Sequence, residues 1–248
     1  MSNLAVLITG AAGGIGQALV AEFSAAGYRV LAVDCAPLPE VGPGVRYMPV
    51  DLARTVADEG YAATVFARVR ESLGDRGLAA LVNNAAVRIL GETAQLSRGD
   101  WERTLDVNLL APFFWTQGLL PELEAAHGCV LNVSSIHARL TKRNFVAYAT
   151  SKAALSGLTR ALAVDLGGRR VRVNALEPAA IETPMLRAGF AGNAAGLDQL
   201  ARFHPSGNMG APEGLARLAR QVVEGDRFLH GAVIGFDGGI AGRLLDPD

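Results

Sequence analysis

The chain has 248 residues, half of them hydrophobic, and its 23 basic residues nearly balance its 24 acidic residues to leave a formal net charge of -1. This balance is typical of a globular protein and lacks the basic excess of a nucleic-acid-binding protein, so no nucleic acid is expected as a partner. No run of about 18 uncharged apolar residues predicts a membrane span, and no basic amino-terminal segment predicts a signal peptide.

Short apolar segments alternate with longer amphipathic segments along the chain. This alternation predicts βαβ units, in which helices connect the parallel strands of a sheet. No repeat or linker interrupts it, so we predict one domain over residues 1–248. The expected fold is α/β, a doubly wound Rossmann-type domain whose parallel sheet has about seven strands with helices on both faces. Strands are predicted at Leu4–Thr9, Arg29–Val33, Arg46–Val50, Leu78–Val82, Val130–Val133, Val171–Ala175 and Ala232–Gly235. Helices are predicted at Ile15–Ala26, Thr55–Leu73, Asp100–Leu123, Phe145–Leu166 and Pro212–Val223.

The segment Ile181–Gly210 departs from the regular alternation. Its glycines and prolines separate short apolar pieces, which is typical of a binding loop that contains a small helix. In an open α/β sheet, ligands bind outside the carboxyl ends of the strands, where this segment would emerge. We therefore expect it to be a substrate-binding loop.

The first predicted strand ends in TGAAGGIG, a glycine-rich turn formed by Gly10, Gly14, Ile15 and Gly16. Glycine lets the main chain approach a pyrophosphate closely, and the helix that follows offers unpaired N–H groups to the anion. No Lys followed by Ser or Thr closes the motif, so a P-loop is not predicted. A dinucleotide site is the interpretation that this strand, turn and helix favour.

An acidic residue, Asp34, ends the second predicted strand 18 residues after Gly16. A carboxylate there can accept hydrogen bonds from the ribose hydroxyls and would repel a 2′-phosphate. The glycine-rich turn carries Ala11 and Ala12 rather than basic residues, and Cys35 follows Asp34. The sequence therefore predicts NAD rather than NADP, with a solvated turn residue as the alternative interpretation of Asp34.

The sequence YATSK places Tyr148 and Lys152 four residues apart, on one face of a predicted helix. Four tyrosines and two lysines in 248 residues would give about 0.03 such pairs by chance. A phenol titrates near pH 10, but a neighbouring ammonium and a positive nicotinamide would stabilise the phenolate. Tyr148 is therefore a candidate proton acceptor from an alcohol.

Together, these motifs resemble the short-chain dehydrogenase/reductase family over essentially the whole chain. Asn83-Asn84-Ala85, RVNALEP and the interval of 13 residues between Ser135 and Tyr148 also match the family pattern. That interval selects Ser135 rather than Ser134 as the catalytic serine. The cofactor-binding residues that the resemblance implies are Gly10, Gly14, Ile15, Gly16, Asp34, Asp51, Leu52, Asn84, Ala85, Tyr148, Lys152, Pro178, Ile181 and Thr183.

The resemblance also implies a mechanism and four catalytic residues. Ser135 would hold the substrate oxygen while Tyr148 exchanges its proton and a hydride passes to or from the nicotinamide. Lys152 would bind the nicotinamide ribose and lower the tyrosine pKa. Asn108, in a helix whose regularity it disturbs, would anchor a water that connects Lys152 to solvent. The protein orients the reacting groups and stabilises their charges, whereas the cofactor supplies the redox chemistry.

Two alanines depart from the family pattern. Ala86 follows Asn83-Asn84-Ala85 and Ala179 follows Pro178, each where a glycine is usual. If these positions required a positive φ, each alanine would cost about 1 kcal/mol.

Residues near the expected pocket bear on the substrate. Glu177 could recognise a polyhydroxylated or amino compound, and the polar run of His137, Arg139, Lys142 and Arg143 could bind an anion. The alternative is a solvated or paired turn residue for Glu177 and a solvated surface loop for the polar run.

The expected function is NAD-dependent oxidation of a small secondary alcohol, with a sugar or polyol preferred. A carbonyl reductase similar to 3-oxoacyl-carrier-protein reductases is a second hypothesis, and a catalytically silent dinucleotide-binding subunit is a third.

The remaining expectations concern metals, compartment and assembly. Cys35 and Cys129 lack metal-ligand spacing and are too few for a disulfide framework, so we expect no metal and a cytoplasmic location. Phe113, Phe114 and Trp115 are expected in packing or at a subunit interface. The resemblance implies a homodimer or homotetramer.

Overall fold

The computed structural model describes residues 4–38 and 42–244. The prediction of one domain over residues 1–248 extends to residues 1–3, 39–41 and 245–248, which lie outside the described residues. Seven strands form one sheet in the described part of the chain. They are β1 (Leu4–Thr9), β2 (Arg29–Asp34), β3 (Val45–Pro49), β4 (Gly77–Asn83), β5 (Cys129–Val133), β6 (Arg172–Pro178) and β7 (Val233–Phe236).

All neighbouring strands are parallel, and their order across the sheet is β3-β2-β1-β4-β5-β6-β7. The order reverses at β1, whose neighbours are β2 and β4. Ligands bind at such a reversal because the loops that follow the two central strands diverge to opposite faces of the sheet. The predicted Rossmann-type fold is confirmed.

Ten α-helices are present among the described residues. They are α1 (Gly14–Ala25), α2 (Leu52–Ala57), α3 (Glu59–Leu73), α4 (Arg98–Leu105), α5 (Ala111–Gly118), α6 (Leu120–Ala126), α7 (Val146–Leu166), α8 (Pro184–Gly189), α9 (Ala194–Phe203) and α10 (Pro212–Glu224).

The core has two layers because both faces of the sheet are covered. Along β1, Ala5 and Leu7 belong to the layer that includes residues of α3, α5 and α7. Val6 and Ile8 belong to the layer that includes residues of α1 and α10. Strands that are buried on both faces need continuous apolar sequence, which explains why LAVLI shows no polar alternation.

The predicted helix Thr55–Leu73 is wrong in one respect, because the structure contains two helices, α2 and α3. Asp58 separates them with an extended backbone, at φ -132° and ψ 97°. Its carboxylate accepts a hydrogen bond from the Tyr61 amide at 2.9 Å and so caps α3. A side chain that satisfies a free N–H group at a helix start stabilises the break.

The predicted helix Asp100–Leu123 is also divided. A π-helical turn over Asp106–Leu110 lies between α4 and α5, and Leu119 separates α5 from α6. Pro112 and Pro121, in the first turns of α5 and α6, cannot donate a main-chain hydrogen bond to the preceding turn. The π-helical turn contains Asn108, so the expected local disturbance at that residue is present.

The predicted strand Val171–Ala175 is too short, since β6 continues to Pro178. The extra residues pair with β7, with Leu176 opposite Ile234 and Glu177 opposite Gly235. The segment Ile181–Gly210 contains two helices, α8 and α9, and an isolated bridge between Ile181 and Gly210 closes its base.

Candidate active site

The glycine-rich turn lies against the end of β4. Gly10 has φ +65°, and a methyl group in place of its hydrogen would lie 2.6 Å from Ala85 Cα. Asn84 Nδ2 donates hydrogen bonds to the carbonyls of Gly10 at 2.9 Å and Thr9 at 3.1 Å. Glycine is therefore required at position 10 by both its backbone angle and its neighbour.

The first turn of α1 has the features of an anion site. A methyl group on Gly14 would lie 2.9 Å from Thr183 Cβ, and one on Gly16 would overlap the Gly10 carbonyl. Ile15 lies between these glycines, and no side chain caps the helix at Gly13. Thr183, which caps α8 through the Leu186 amide at 3.2 Å, thus faces the amino-terminus of α1. The narrow, side-chain-free cradle and the uncapped helix start fit the pyrophosphate of a dinucleotide.

Asp34 lies at the outer edge of the same turn. Its Oδ2 accepts a hydrogen bond from the Ala12 amide at 2.9 Å, and its Oδ1 accepts one from the Ala36 amide at 2.9 Å. The carboxylate at the end of β2 is thus held beside the glycine-rich turn. This is the place that the sequence predicts for a group that contacts the adenosine ribose.

The other predicted cofactor residues lie at the ends of neighbouring strands. Asp51 Oδ1 accepts from the Ala53 amide at 3.0 Å and caps α2, and the next residue, Leu52, is buried. Pro178 ends β6, and Ile181 is buried at the base of the segment that holds α8 and α9. These residues follow β3 and β6, on the carboxyl side of the sheet.

The expected cost of the two alanines is absent. The described non-glycine residues with a positive φ are His127, Asn144 and Arg170, so neither Ala86 nor Ala179 adopts one. Backbone strain was predicted only if φ were positive at these positions, and φ is positive at neither.

The four predicted catalytic residues come from three separate segments. Ser135 follows β5, Asn108 is in the π-helical turn, and Tyr148 and Lys152 are one turn apart on α7. Burial raises the pKa of Tyr148 above its usual value, and hydrogen bonding with Ser135 and the charge of Arg88 oppose this increase. Ser135 thus favours the ionised form of Tyr148, an effect that joins the loop after β5 to α7 in one candidate site.

Lys152 is almost completely buried beneath the tyrosine. Its Nζ donates to the Val133 carbonyl at 2.8 Å and lies 5.8 Å from the centre of the Tyr148 ring. Burial lowers the pKa of this ammonium to about 8, because removal from water disfavours the charged form. One of its three N–H donors is used by Val133, which leaves others for a ligand.

Asn108 holds the segment after β4. Its Oδ1 accepts from the Val87 amide at 2.8 Å, and its Nδ2 donates to the Val87 carbonyl at 2.9 Å and to Ser151 Oγ at 3.0 Å. These contacts use the full hydrogen-bonding capacity of the amide nitrogen. The asparagine side chain thus fixes a loop to α7, next to Tyr148.

Sequence reasoning missed a buried polar network behind Ser135. Glu177, 1% exposed, binds Arg139 Nε at 2.6 Å and accepts from Ser156 Oγ at 2.8 Å. Ser156 Oγ lies 2.9 Å from Ser134 Oγ, which donates to the Lys152 carbonyl at 2.9 Å. The network joins β6, the loop after β5 and α7, segments that sequence spacing alone could not bring together.

An aromatic group beside Tyr148 was also missed. His137 stacks on Phe145 with ring centres 4.4 Å apart and meets Tyr148 edge-on at 5.9 Å. The signal available in the sequence was the polar run between Ser135 and Tyr148, which does not reveal a stacked pair.

Metal and membrane features are absent from the described part of the chain. No group of three or more His, Cys, Asp or Glu side chains could hold a metal ion there. Within residues 4–38 and 42–244, no helix has the length and apolar character needed to cross a membrane. Cys35 is exposed, Cys129 is buried, and both are free thiols.

Comparison with known proteins gives consistent results. The family model described as short chain dehydrogenase matches residues 4–193. D-threitol dehydrogenase of Mycolicibacterium smegmatis is 33% identical, over 94% of this chain and 91% of that protein. A 3-oxoacyl-[acyl-carrier-protein] reductase of Thermotoga maritima is 32% identical, over 94% and 96% respectively. The ligand-free aldohexose dehydrogenase of Thermoplasma acidophilum superposes with a TM-score of 0.90 at 25% identity, over 100% of this chain and 98% of that one.

Proposed function

The chain belongs to the short-chain dehydrogenase family, and from this premise we propose that it is an NAD-linked dehydrogenase that oxidises the secondary alcohol of a small hydroxylated compound. The observation that carries the proposal is the convergence of Ser135, Tyr148 and Lys152 at the end of β5, on the same edge of the sheet as the glycine-rich turn. D-threitol dehydrogenase and aldohexose dehydrogenase, two of the proteins that this chain resembles, are named for polyol and sugar substrates.

The cofactor, when bound, supplies the nicotinamide C4 that accepts the hydride from the alcohol carbon. In our proposal, the Ser135 hydroxyl holds the alcohol oxygen, and the Tyr148 phenolate takes the hydroxyl proton as the carbon loses its hydride. The products are a ketone or aldehyde, the reduced cofactor and a protonated tyrosine. Lys152 would bind the nicotinamide ribose with the N–H groups that Val133 does not use. Its charge is not among the groups that act on Tyr148, whose pKa burial raises, so the phenolate would depend on Ser135, Arg88 and the positive nicotinamide.

The proton must then leave a buried site. The Asn108 side chain is occupied by Val87 and Ser151, so we assign the water-binding role to its main-chain carbonyl. In an α-helix this carbonyl would accept from residue 112, which is a proline without an N–H group. The carbonyl is thus suited to hold a water that connects Lys152 to solvent.

The preference for NAD rests on Asp34. Its carboxylate stands at the end of β2 beside Ala12, where it can accept hydrogen bonds from a ribose diol. A 2′-phosphate at the same place would meet a like charge and no basic partner from the adjacent Ala11, Ala12 or Cys35.

The test is fluorescence titration with NADH and NADPH, followed by a screen for NAD reduction with sugars, polyols and secondary alcohols. We expect NADH to bind at least about tenfold more tightly, a difference of about 1.4 kcal/mol. Asp34→Asn should narrow that ratio, whereas Glu59→Gln, an exposed change in the first turn of α3, should leave it unaltered. Tighter binding of NADPH by the wild-type protein would contradict the proposal and favour a reductase, as in the Thermotoga relative.

We also propose a homodimer or homotetramer in the cytoplasm. Val164 on α7 is 87% exposed and Phe114 on α5 is 37% exposed, and these are the two helices that the family resemblance suggests for the subunit interface. Light scattering after size-exclusion chromatography tests the assembly, and Val164→Glu should shift it towards the monomer.

A further inference from the structure

A group of aromatic and basic side chains borders Tyr148 on the side of the loop after β5. Lys142 Nζ lies 4.9 Å from the centre of the Phe145 ring. His137 stacks on that ring at 4.4 Å, and both His137 and Phe145 meet Tyr148 edge-on, at 5.9 and 6.1 Å. A continuous path of side-chain contacts therefore leads from the ammonium to the tyrosine.

A second cation, Arg88, acts electrostatically on His137 and Tyr148 from the loop after β4. The two hydrogen bonds between Asn108 and the main chain of Val87 fix the residue immediately before it. The Gly91 amide donates to the Asn144 carbonyl at 3.1 Å, which joins the loop after β4 to the loop that carries Lys142. Two exposed cations from separate but hydrogen-bonded loops therefore act on one group of rings, Lys142 through contact with Phe145 and Arg88 through its charge.

Neither cation is neutralised by a described residue. No ion pair or side-chain hydrogen bond involves Arg88 or Lys142 in residues 4–38 and 42–244. Glu177, a nearby carboxylate, is already bound by Arg139 and Ser156.

The electrostatic effects on His137 agree with this geometry. Burial, followed by Lys142 and Arg88, lowers the pKa of His137 to about 4, and the backbone at Leu140 opposes the decrease only in part. No acidic side chain is among the groups that act on His137 or Tyr148. The charges that act on His137 and Tyr148 are therefore cationic, and an oxidised nicotinamide would add to them.

We propose that the alcohol oxidised by this protein carries an anionic group, a carboxylate or a phosphate, and that Lys142 and Arg88 bind that group beside Tyr148. Phe145 and the neutral His137 form the wall between the anion and the reacting carbon. This inference rests on the proposed function and names the substrate class of the same site. An anion would neutralise the two cations, which a neutral polyol would leave unpaired.

The experiment compares glucitol, gluconate and glucitol 1-phosphate, in which the terminal group at C1 alone differs, together with the same three kinds of compound in the galactose and mannose series. Within a series, the members share their hydroxyl configuration and differ in one terminal group. We expect kcat/KM for one anionic member to exceed that for the neutral polyol by at least about tenfold. The better of the two anionic members distinguishes a carboxylate from a phosphate.

Three variants localise the effect. Lys142→Gln should raise KM for the preferred anion by about tenfold, while kcat and the KM for the neutral polyol change less than about twofold. Arg88→Gln should raise the same KM by about tenfold and, because Arg88 opposes the raised pKa of Tyr148, should also shift the pH profile of kcat to higher pH. Arg143→Gln is the matched control, since Arg143 is exposed in the same loop but is not among the groups that act on His137 or Tyr148. Equal KM changes for anionic and neutral substrates would overturn the inference.

An NMR titration of His137 gives a readout that is independent of turnover. In the protein saturated with NADH, the anion should raise the imidazole pKa, because a nearby negative charge favours the protonated form. Glucitol should leave it unchanged. Oxidation of neutral polyols without any preference for the anionic compounds would contradict this inference and would leave the proposed function supported. Lack of turnover throughout the panel would remove both.

Discussion

The cofactor half and the substrate half of the site are built in different ways. The cofactor half, defined here as the glycine-rich turn with Asp34 and Asn84, is held by contacts to main-chain atoms. The substrate half is the segment from Ser135 to Tyr148 with Arg88 and Glu177. Side-chain contacts hold most of it together, since Glu177 binds Arg139 and Ser156 and His137 packs on Phe145 and Tyr148. Substrate recognition can therefore change by substitution of single side chains, whereas the cofactor site depends on backbone geometry that glycines maintain.

The largest expected effect separates chemistry from cofactor binding. Tyr148→Phe removes the proposed proton acceptor and should lower kcat by about 10²- to 10⁴-fold without changing the Kd for NADH. Tyr47→Phe is the matched change in the cofactor half, because the Tyr47 hydroxyl donates to the Ala36 carbonyl at 2.6 Å beside Asp34. It should alter the KM for NAD rather than kcat. A similar loss of kcat in both variants would argue against the division into halves.

The next effect concerns the backbone of the cofactor half. Gly10→Ala combines a positive φ with a 2.6 Å approach to Ala85 Cα, so it should destabilise the protein by about 2–4 kcal/mol and abolish NADH binding. Gly44→Ala has the same kind of backbone, at φ +78°, with its nearest neighbour at 4.0 Å. It should cost only about 1 kcal/mol and leave binding unchanged. Urea unfolding and NADH fluorescence measure both quantities.

The buried ammonium of Lys152 is expected to lower the free energy of unfolding of the cofactor-free protein. Burial lowers its pKa to about 8, so the folded chain binds fewer protons than the unfolded chain between pH 8 and 10.5. Stability conferred at this site therefore rises with pH across that interval, and the cost of the buried charge is fully present below it.

Lys152→Met should consequently stabilise the cofactor-free protein by about 1–3 kcal/mol at pH 7, with a smaller gain at pH 10. It should also abolish turnover. Lys142→Met, the corresponding change at the exposed lysine, should alter stability by less than about 0.5 kcal/mol at both pH values. Urea unfolding at the two pH values is the measurement, and a gain that is independent of pH would show that the buried charge is not its source.

The smallest effect concerns the support of the substrate half. Glu177→Gln keeps an acceptor for Ser156 but removes the charge that binds Arg139, a side chain that is 51% exposed. We expect a loss of about 1 kcal/mol in stability and a several-fold decrease in kcat/KM, with an unchanged Kd for NADH. Glu182→Gln breaks the exposed pair with Arg187 and should change neither quantity. Equal effects of the two variants would mean that burial of Glu177 has no role.

The sequence by itself determined the succession of strands and helices along the chain, the glycine-rich turn and the spacing of Tyr148 and Lys152. These features are local, since each depends on hydrogen bonding, steric freedom or helical periodicity within a few residues. The helix breaks at Asp58 and Leu119 escaped prediction because a capping side chain and a proline override an amphipathic pattern that continues through them.

Only the tertiary structure decided how the substrate half is assembled. Glu177 reaches Arg139 because β6 extends beyond its apolar run and pairs with β7, and the Gly91–Asn144 hydrogen bond joins the loop of Arg88 to the loop of Lys142. Contacts between segments 20 to 50 residues apart depend on sheet order and helix packing, and no local pattern encodes them. The position and charge of such side chains determine which alcohol is bound, so substrate recognition is the part of the function that required the fold.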